Sequence, residues 1–297
     1  MNTTIRYILG GSAVLFALLL AGSFAGALHP VGDSLAVFRL HFAAVLVLLA
    51  LGWALAGRRA ALALALVGAC AVGPTAWMWV RPAEAVPAAT LVHYQKNLLW
   101  VERDMTGLAG DIRRVAPDVL TVQELTEGNV AVLSALNDVL PAREVCRFDR
   151  IGGVAVASAW AKIPGSGFCD ETLGVTGMQV EAPQGPLWVV SLHLHWPYPY
   201  AQAEQMEGLL PILAGLDGPV VIGGDFNSVP WSTSVARIAE ATGTARVGPA
   251  RSTYREFEPL VPLPIDHVLA PEGRSGTTET RPRLGSDHLG LVARIAL

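Results

Sequence analysis

The sequence of 297 residues is poor in charged side chains and in cysteine. Lys, Arg, Asp and Glu make up 15% of the chain, whereas 52% of the residues are hydrophobic, which is unlike an ordinary soluble protein. Three cysteines are too few for a disulfide-stabilised scaffold, and the cysteine ligands of a typical zinc site are lacking. These absences exclude a plain soluble domain and a small disulfide-rich fold.

The sequence also lacks a cluster of Lys and Arg. Residues 88–297 contain 16 basic and 23 acidic side chains, a net charge of about −7. Tight or processive binding of nucleic acid depends on positive charge facing the phosphates. The composition therefore argues against a tight nucleic-acid binder, although a weak catalytic encounter with DNA or RNA stays compatible with it.

The hydrophobic excess lies at the start of the chain, in three apolar segments at residues 5–28, 35–56 and 60–80. About 20 residues suffice for a helix to cross ~30 Å of hydrocarbon. One such segment could be a signal peptide, but three in series indicate an integral membrane region. We therefore predict a membrane anchor of three transmembrane helices over residues 1–81, with Arg39 and His41 as interfacial anchors.

Basic residues in the short loops predict the orientation of this region. Arg58 and Arg59 follow the second segment and place that loop in the cytoplasm, which puts the N-terminus with Arg6 inside and residues 29–33 outside. Arg81 argues weakly for the opposite orientation. The expected result is a multi-pass protein of the cell membrane whose C-terminal domain is extracytoplasmic, joined to the anchor by a short linker at residues 82–89.

Cys146 and Cys169 are the two cysteines outside the apolar region. If the domain lies outside the cytoplasm they can form a disulfide, and otherwise they are two unrelated buried thiols. The sequence leaves both alternatives open.

Beyond residue 90, short apolar runs alternate with helical stretches, which is typical of an α/β domain. Several strands are separated by Gly and Pro turns rather than by helices, which indicates antiparallel pairs. Strands are expected near residues 91–99, 118–122, 152–159, 178–181, 187–194, 220–222, 265–269 and 289–295, and helices near 102–115, 129–140 and 201–216. We expect mixed sheets with helices outside, over residues 90–297.

The most informative stretch is VVIGGDFNSVP at residues 220–230. A buried strand is followed by two glycines, Gly223 and Gly224, and then by Asp225 and Asn227. On an extended backbone the last two side chains point to the same side, where an acid and an amide can position and deprotonate a water molecule. The alternative is a strand followed by an Asx turn.

Polar residues recur at the ends or edges of the predicted strands. Each has a structural explanation of its own, such as helix capping or a hydrogen-bonded core position. Together, four carboxylates, two amides and two histidines form the oxygen-rich set that Mg²⁺ prefers. The set comprises Asn97, Glu124, His193, Asp225, Asn227, Asp266, Asp287 and His288.

The same residues give the chain a resemblance to a known family. Asn97, QE at 123–124, SLHL at 191–194, GDFN at 224–227, IDH at 265–267 and SDH at 286–288 resemble the endonuclease/exonuclease/phosphatase (DNase I-like) superfamily. The order and approximate spacing match over about 210 residues. The apolar segments ahead of the domain resemble a bacterial branch of the superfamily that is anchored in the inner membrane.

The resemblance implies a four-layer α/β sandwich, in which two mixed sheets lie face to face with helices outside. It also implies a metal-dependent hydrolase of phosphodiester or phosphomonoester bonds. Carried over by motif, Glu124 would be the principal ligand of Mg²⁺, for which Mn²⁺ can substitute, and Asn97 and Asp287 would assist it.

The resemblance further implies the roles of the remaining residues. Asp225 would align and deprotonate the attacking water, and Asn227 would hold the phosphate or the water. His288 would donate to a phosphoryl oxygen and be oriented by Asp266. His193 would contact the phosphate from the other side, although His195 lies on the same strand face and is the alternative.

The substrate stays open at this stage. The candidates are nucleic acid, which would make the protein a nuclease, and a phospholipid or phosphoinositide-like head group, which suits a membrane-tethered enzyme. Aromatic and proline residues at 196–200 could stack a base or touch a lipid surface. A membrane-tethered binding protein without turnover is the alternative from another class.

Overall fold

The structure, a computed structural model, describes residues 3–56, 59, 61–82, 86, 90–149, 152–257 and 259–296. The elements follow in chain order: α1 (Thr3–Gly22), α2 (Val31–Ala36), α3 (Arg39–Leu55), α4 (Ala61–Ala71), α5 (Gly73–Val80), β1 (Thr90–Asn97), α6 (Thr106–Val115), β2 (Val119–Leu125), α7 (Ala131–Ala135), β3 (Ala142–Asp149), β4 (Gly152–Ser158), β5 (Phe168–Asp170), β6 (Val175–Ala182), β7 (Gly185–His193), α8 (Gln202–Ala214), β8 (Val220–Asp225), α9 (Thr233–Thr242), β9 (Thr244–Arg246), β10 (Asp266–Pro271), β11 (Gly276–Arg281) and β12 (Gly290–Ala296).

The strands form two sheets of similar build. The first has the order β11-β12-β1-β2-β4-β3 and the second β5-β6-β7-β8-β10-β9. In each sheet one central pair is parallel, β1 with β2 and β7 with β8, and the remaining pairs are antiparallel. Both sheets are therefore mixed, as the sequence predicted.

Three apolar cores hold the layers together. Alternation along β8 shows how: Val220 and Ile222 pack with α8 and α9, whereas Val221 faces the other sheet. A corresponding core joins the first sheet to α6 and α7. The order of layers is helix, sheet, sheet, helix, which confirms the prediction of two mixed sheets flanked by helices.

The prediction of three transmembrane helices is wrong. Only α1 is by itself long and apolar enough to cross a membrane among the described residues. The second segment forms a helix of 17 residues, because the chain up to Phe38 folds into α2 and a turn. The third is broken between α4 and α5 by 41°, where Pro74 lacks a backbone N–H and cannot continue the helix. This bent pair passes the same test as one broken span.

Parts of the sequence prediction fall outside the described residues. Arg58, on which the orientation rests in part, is one of them, and so is most of the predicted linker at 82–89.

The segment between α1 and α3 contacts the sandwich directly. Asp33 accepts hydrogen bonds from the backbone N–H groups of Thr233 and Ser234, at 2.7 and 3.0 Å, and so caps the start of α9. The indole N–H of Trp231 donates to the carbonyl oxygen of Ala36 at 2.7 Å. The chain after α5 also contacts the sandwich, since Arg81 donates to the carbonyl oxygen of Arg246 at 3.1 Å.

A disulfide joins the two sheets at one edge. Cys146 lies on β3 and Cys169 on β5, and these are the edge strands of the first and the second sheet. The bond therefore links the two halves of the sandwich, and the first of the two alternatives for these cysteines is the one the structure contains.

Candidate active site

The inner faces of the two sheets carry the predicted site residues to one end of the sandwich. The registers place Asn97 beside Gln123 on the first sheet, and Asp225 between His193 and Asp266 on the second. Because side chains alternate along each strand, the positions two and four residues earlier point into the same gap between the sheets. The site therefore lies at the polar end of the space between the two sheets.

A β-bulge sets the direction of Glu124. The pairing of β2 with β4 shifts after Gln123, and Glu124 adopts a φ of 57°, a conformation rarely taken by a residue with a side chain. Gly152 lies opposite with a φ of 107°, and a Cβ there would be 2.7 Å from the carbonyl carbon of Glu124. The carboxylate accepts hydrogen bonds from Asn97 and from the backbone N–H of Trp100.

Asn97 connects two carboxylates. Its Nδ2 donates to Oε1 of Glu124 at 2.9 Å and to Oδ2 of Asp225 at 3.0 Å, so the two acids lie close together. Its Oδ1 accepts from the backbone N–H of Leu99 at 3.0 Å. In this arrangement Asn97 presents its amide hydrogens to the carboxylates, and its oxygen faces the backbone.

The segment after Asp225 is a turn rather than an extended continuation of β8. The backbone N–H of Asn227 donates to Oδ1 of Asp225 at 2.9 Å, and Asn227 has a φ of 47°. The Asx turn is therefore the geometry observed. The side-chain amide of Asn227 donates to the carbonyl oxygen of Leu194 at 2.7 Å, which ties the turn to the end of β7.

His288 forms a buried pair with Asp266. Nδ1 of His288 lies 2.7 Å from Oδ2 of Asp266, whose other oxygen accepts from Gln95 at 3.0 Å. Burial by itself disfavours the charged imidazole, but the carboxylates of Asp266 and Asp225 prevail and raise the pKa of His288 to about 9. The phenol ring of Tyr254 lies 4.9 Å from the imidazole, centroid to centroid.

Asp225 is the carboxylate around which the other groups converge. Its Oδ2 lies 3.6 Å from Nε2 of His193 and 3.7 Å from Nε2 of His288. Burial raises the pKa of Asp225 to about 7, against the opposing influence of His288. A carboxylate of this kind can accept a proton near neutral pH. His195 lines the same pocket.

These side chains surround a pocket of about 170 Å³. Three carboxylates line it, those of Glu124, Asp225 and Asp287, and burial raises the pKa of Glu124. No Lys or Arg lines it among the residues that the structure describes. Three converging acids with no Lys or Arg among the described lining residues are a donor set that suits a hard divalent cation.

The structure brings all eight predicted residues to this pocket. Six of them line it directly, and Asn97 and Asp266 lie one hydrogen bond behind. The ligand atoms of Glu124, His193 and Asp225 all lie within 4.8 Å of one another, as do those of Asp225, Asp266 and His288. The predicted metal ligands were Glu124, Asn97 and Asp287. In the structure His193 and Asp225 also lie close enough to Glu124 to share a metal ion with it.

Sequence reasoning missed the polar residues that support the site from inside. Gln95 donates to both Gln123 and Asp266, and Gln123 donates to Ser191 on the other sheet. A signal was present, because Gln95 stands two residues before Asn97 on β1 and shares its face. Tyr254, whose ring is tilted by 56° against that of His288, lies in a loop where no strand pattern marks it.

A sequence model described as "Endonuclease/Exonuclease/phosphatase family" matches residues 95–288, a span that contains all eight site residues. No curated protein matches the sequence.

Solved structures show the same fold at low sequence identity. One is D. rerio TDP2 complexed with a single-strand DNA product, which is 16% identical with a TM-score of 0.55 and covers 70% of this chain and 100% of its own. A mannosyl-6-phosphatase of Bacteroides thetaiotaomicron is 15% identical with a TM-score of 0.51, over 70% and 100% of the two chains. A Staphylococcus aureus beta toxin mutant with bound magnesium ions is 13% identical with a TM-score of 0.51, over 69% and 99%.

Proposed function

Because the chain belongs to the endonuclease/exonuclease/phosphatase family, we propose that it hydrolyses phosphate esters by attack of water and depends on Mg²⁺ or Mn²⁺. Hydrolysis of a diester adds one water across a P–O bond and yields a phosphate monoester and an alcohol. The observation that carries the proposal is the convergence of Glu124, Asp225 and Asp287 with two histidines on one pocket of about 170 Å³.

Glu124 and Asp287 would hold the cation, assisted by Asn97 once its amide is turned so that the oxygen faces the pocket. When bound, a divalent cation supplies positive charge to the phosphoryl oxygens. The pocket fits such an ion because its acids have no Lys or Arg beside them in the described lining.

Asp225 would align and deprotonate the attacking water. Its Oδ1 is fixed by the backbone N–H of Asn227, so Oδ2 is the atom that faces the pocket and the two histidines. A pKa near 7 lets this carboxylate take a proton at neutral pH, and the water is activated in the process.

His288 would donate from Nε2 to a phosphoryl oxygen. Asp266 accepts from Nδ1 and keeps the ring charged, so the donor is oriented before the phosphate arrives. We assign His193 to the opposite side of the phosphate, and Asn227 to holding the turn and the phosphate or water.

We further propose that residues 1–81 attach the enzyme to a bacterial inner membrane and that residues 90–297 form an extracytoplasmic catalytic domain. Residues 82–89 would link the two. Large apolar side chains on the N-terminal helices are exposed, such as Leu55 at 91% and Tyr7 at 77%. The disulfide suits an oxidising compartment. The backbone N–H of Thr233 in α9 donates to Asp33 in the first loop, which supports a placement of the loop and the domain on the same side of the membrane.

The test is hydrolysis by the full chain on a panel of plasmid DNA, a generic phosphodiester, a phosphomonoester and phospholipid vesicles, run in H₂¹⁸O. We expect Mg²⁺-dependent release with ¹⁸O in the phosphate product. Asp225→Asn is expected to lower kcat by at least ~10²-fold, within the range for loss of a general base. Asp217→Asn, an exposed acid outside the pocket, serves as the matched control. Mg²⁺ binding without hydrolysis of any member would favour the non-catalytic binding protein.

A further inference from the structure

A second cavity, of about 300 Å³, lies beside the catalytic pocket. One wall comes from the segment just before α3, with Val37 and Phe38. The opposite wall comes from the loop before β10, with Val261 and Leu263, and Tyr198 of the aromatic loop contributes as well. The N-terminal region and the sandwich therefore build this cavity together.

The cavity adjoins the catalytic pocket. Trp196, Tyr200 and Asn227 line both. One bound molecule can therefore place a phosphate among the catalytic groups and another part of itself in the second cavity.

The lining of the second cavity is aromatic and aliphatic. Of its polar groups, the hydroxyl of Ser34 donates to the carbonyl oxygen of Tyr198 at 2.6 Å, and the amide of Asn227 donates to that of Leu194 at 2.7 Å. The remaining lining consists of aliphatic side chains and aromatic rings. Among the described residues no Lys or Arg lines either cavity. A nucleic-acid strand would meet no cation for its phosphates there, whereas a hydrocarbon chain would lose water from apolar surface on both sides.

The cavity lies where the apolar helices meet the sandwich. Its wall residue Phe38 directly precedes α3, and Nε2 of His41 in α3 lies 2.8 Å from the carbonyl oxygen of Leu260. Phe38, Phe257 and Leu260 are exposed apolar side chains around this junction. With the helices in a membrane, as proposed above, these residues lie at the bilayer surface, within reach of lipid chains.

We infer that the second cavity receives the hydrocarbon chain of a lipid phosphate ester whose phosphate occupies the catalytic pocket. This inference rests on the proposed function and narrows its substrate to amphiphilic phosphate esters drawn from the membrane.

The test uses alkyl 4-nitrophenyl phosphate diesters with chains from methyl to octyl. The full-length protein is kept in an amphipathic polymer, because a detergent would supply a competing alkyl chain. Each buried methylene is expected to raise kcat/KM by up to about fourfold, equivalent to ~0.8 kcal/mol, until the cavity is filled.

Two variants fill the cavity from opposite walls, Val37→Trp and Val261→Trp. Both are expected to flatten the dependence on chain length, measured within each variant as the ratio of kcat/KM for the octyl ester to kcat/KM for the methyl ester. Val139→Trp replaces a half-exposed valine outside the cavity and controls for partition of the esters into the polymer. It should keep the wild-type dependence.

A binding measurement separates this inference from the proposed function. A dialkyl phosphate with a diazirine in its chain is photolysed with the protein, and cross-linked peptides are identified by mass spectrometry. Cross-links on peptides containing Phe38 or Val261 are expected. If they form but no ester is hydrolysed, the proposed function fails and the chain site stands.

Three results would overturn the chain site. They are a methyl ester hydrolysed as well as the octyl ester, cross-links confined to other regions, and chain dependence unaltered in both Trp variants. Hydrolysis of a single-stranded oligonucleotide in preference to every ester would also reject it, and would assign the pocket to nucleic acid.

Discussion

Gly223 lies directly against the facing sheet beneath the site, and its replacement by Ala has a calculable cost. A Cβ there would lie 2.2 Å from Oγ1 of Thr121 and 2.6 Å from Nε2 of His93. Overpacking of a well-packed interior costs about 1–3 kcal/mol, and loss of the bond between His93 and Thr121, now 2.9 Å, costs about 1 kcal/mol more. The reduced entropy of the unfolded chain returns roughly 0.5–1 kcal/mol.

We therefore expect Gly223→Ala to lower the free energy of unfolding by about 1–3.5 kcal/mol. It should also reduce activity, because Asp225 stands two residues further on the same strand face. The matched control is Gly110→Ala, in the exposed part of α6, where a Cβ meets nothing within 4 Å. Helix propensity predicts that this change stabilises the protein by up to ~1 kcal/mol.

The assay is urea unfolding of the full chain in an amphipathic polymer, followed by tryptophan fluorescence. The double variant Thr121→Ala/Gly223→Ala removes the oxygen that the new methyl group meets, and should recover at least ~1 kcal/mol relative to additivity. The reasoning is refuted if Gly223→Ala is as stable as the wild type, or if the double variant is strictly additive.

Three further predictions follow from the fold. Removing the disulfide with Cys146→Ala/Cys169→Ala frees a loop with a sequence separation of 23 and should cost about 3 kcal/mol in urea unfolding, so an unchanged midpoint would contradict the account. Burial lowers the pKa of His93 to about 3 and that of His267 to about 4, whereas it raises that of Asp225 to about 7. Below about pH 5.5 the imidazole of His288, whose pKa is raised to about 9, is protonated in both states and adds nothing. Between about pH 5.5 and 4.5 the unfolded chain therefore binds about one more proton than the folded chain at the other three groups. The free energy of unfolding, measured in EDTA, should fall by ~1.4 kcal/mol for each unit of acidification, and a flat profile would be inconsistent. Asp33→Ala removes the acceptor of the Thr233 and Ser234 amides, whereas the N-cap Ser232 still accepts from the amide of Val235. This change should cost ~1 kcal/mol, seen as faster hydrogen exchange of the first α9 amides, with exposed Glu207→Ala as the unaffected control.

The sandwich was predictable because its strands carry their own signals. Buried runs such as 187–194 and 220–222 were placed within a few residues of the observed β7 and β8. All four edge strands were missed. The strands β5 and β9 have only three residues each, and the longer β3 and β11 have the polar sequences AREVCRFD and GTTETR, which contain no continuous apolar run. The helix expected at 129–140 contracts to Ala131–Ala135, because tertiary contacts decide so short a segment.

The membership of the site was predictable, but its geometry was not. Polar residues at strand ends identified all eight side chains that the structure brings together. The bulge at Glu124 depends on a positive φ that a glutamate does not indicate, whereas the Asx turn at Asn227 was one of two alternatives that the sequence left open. The direction of the Asn97 amide could not be predicted either, because it depends on where the carboxylates of Glu124 and Asp225 lie in the folded protein.

The count of membrane helices was overestimated because apolar composition does not report helix breaks. Residues 60–80 are apolar throughout, but Pro74 ends α4 and starts a new helix. The second cavity could not be foreseen either, since it combines Phe38 with residues more than 200 positions later, such as Val261 and Leu263.

The most direct test of the central claim is the rate of bis(4-nitrophenyl) phosphate hydrolysis by the full chain, measured with Mg²⁺, with EDTA, and in the Asp225→Asn variant. The account predicts release of nitrophenol by the wild type with Mg²⁺, its loss in EDTA with recovery on adding Mg²⁺ back, and a decrease of at least ~10²-fold in the variant. Equal rates in the wild type and in Asp225→Asn, or full activity in EDTA, would contradict it.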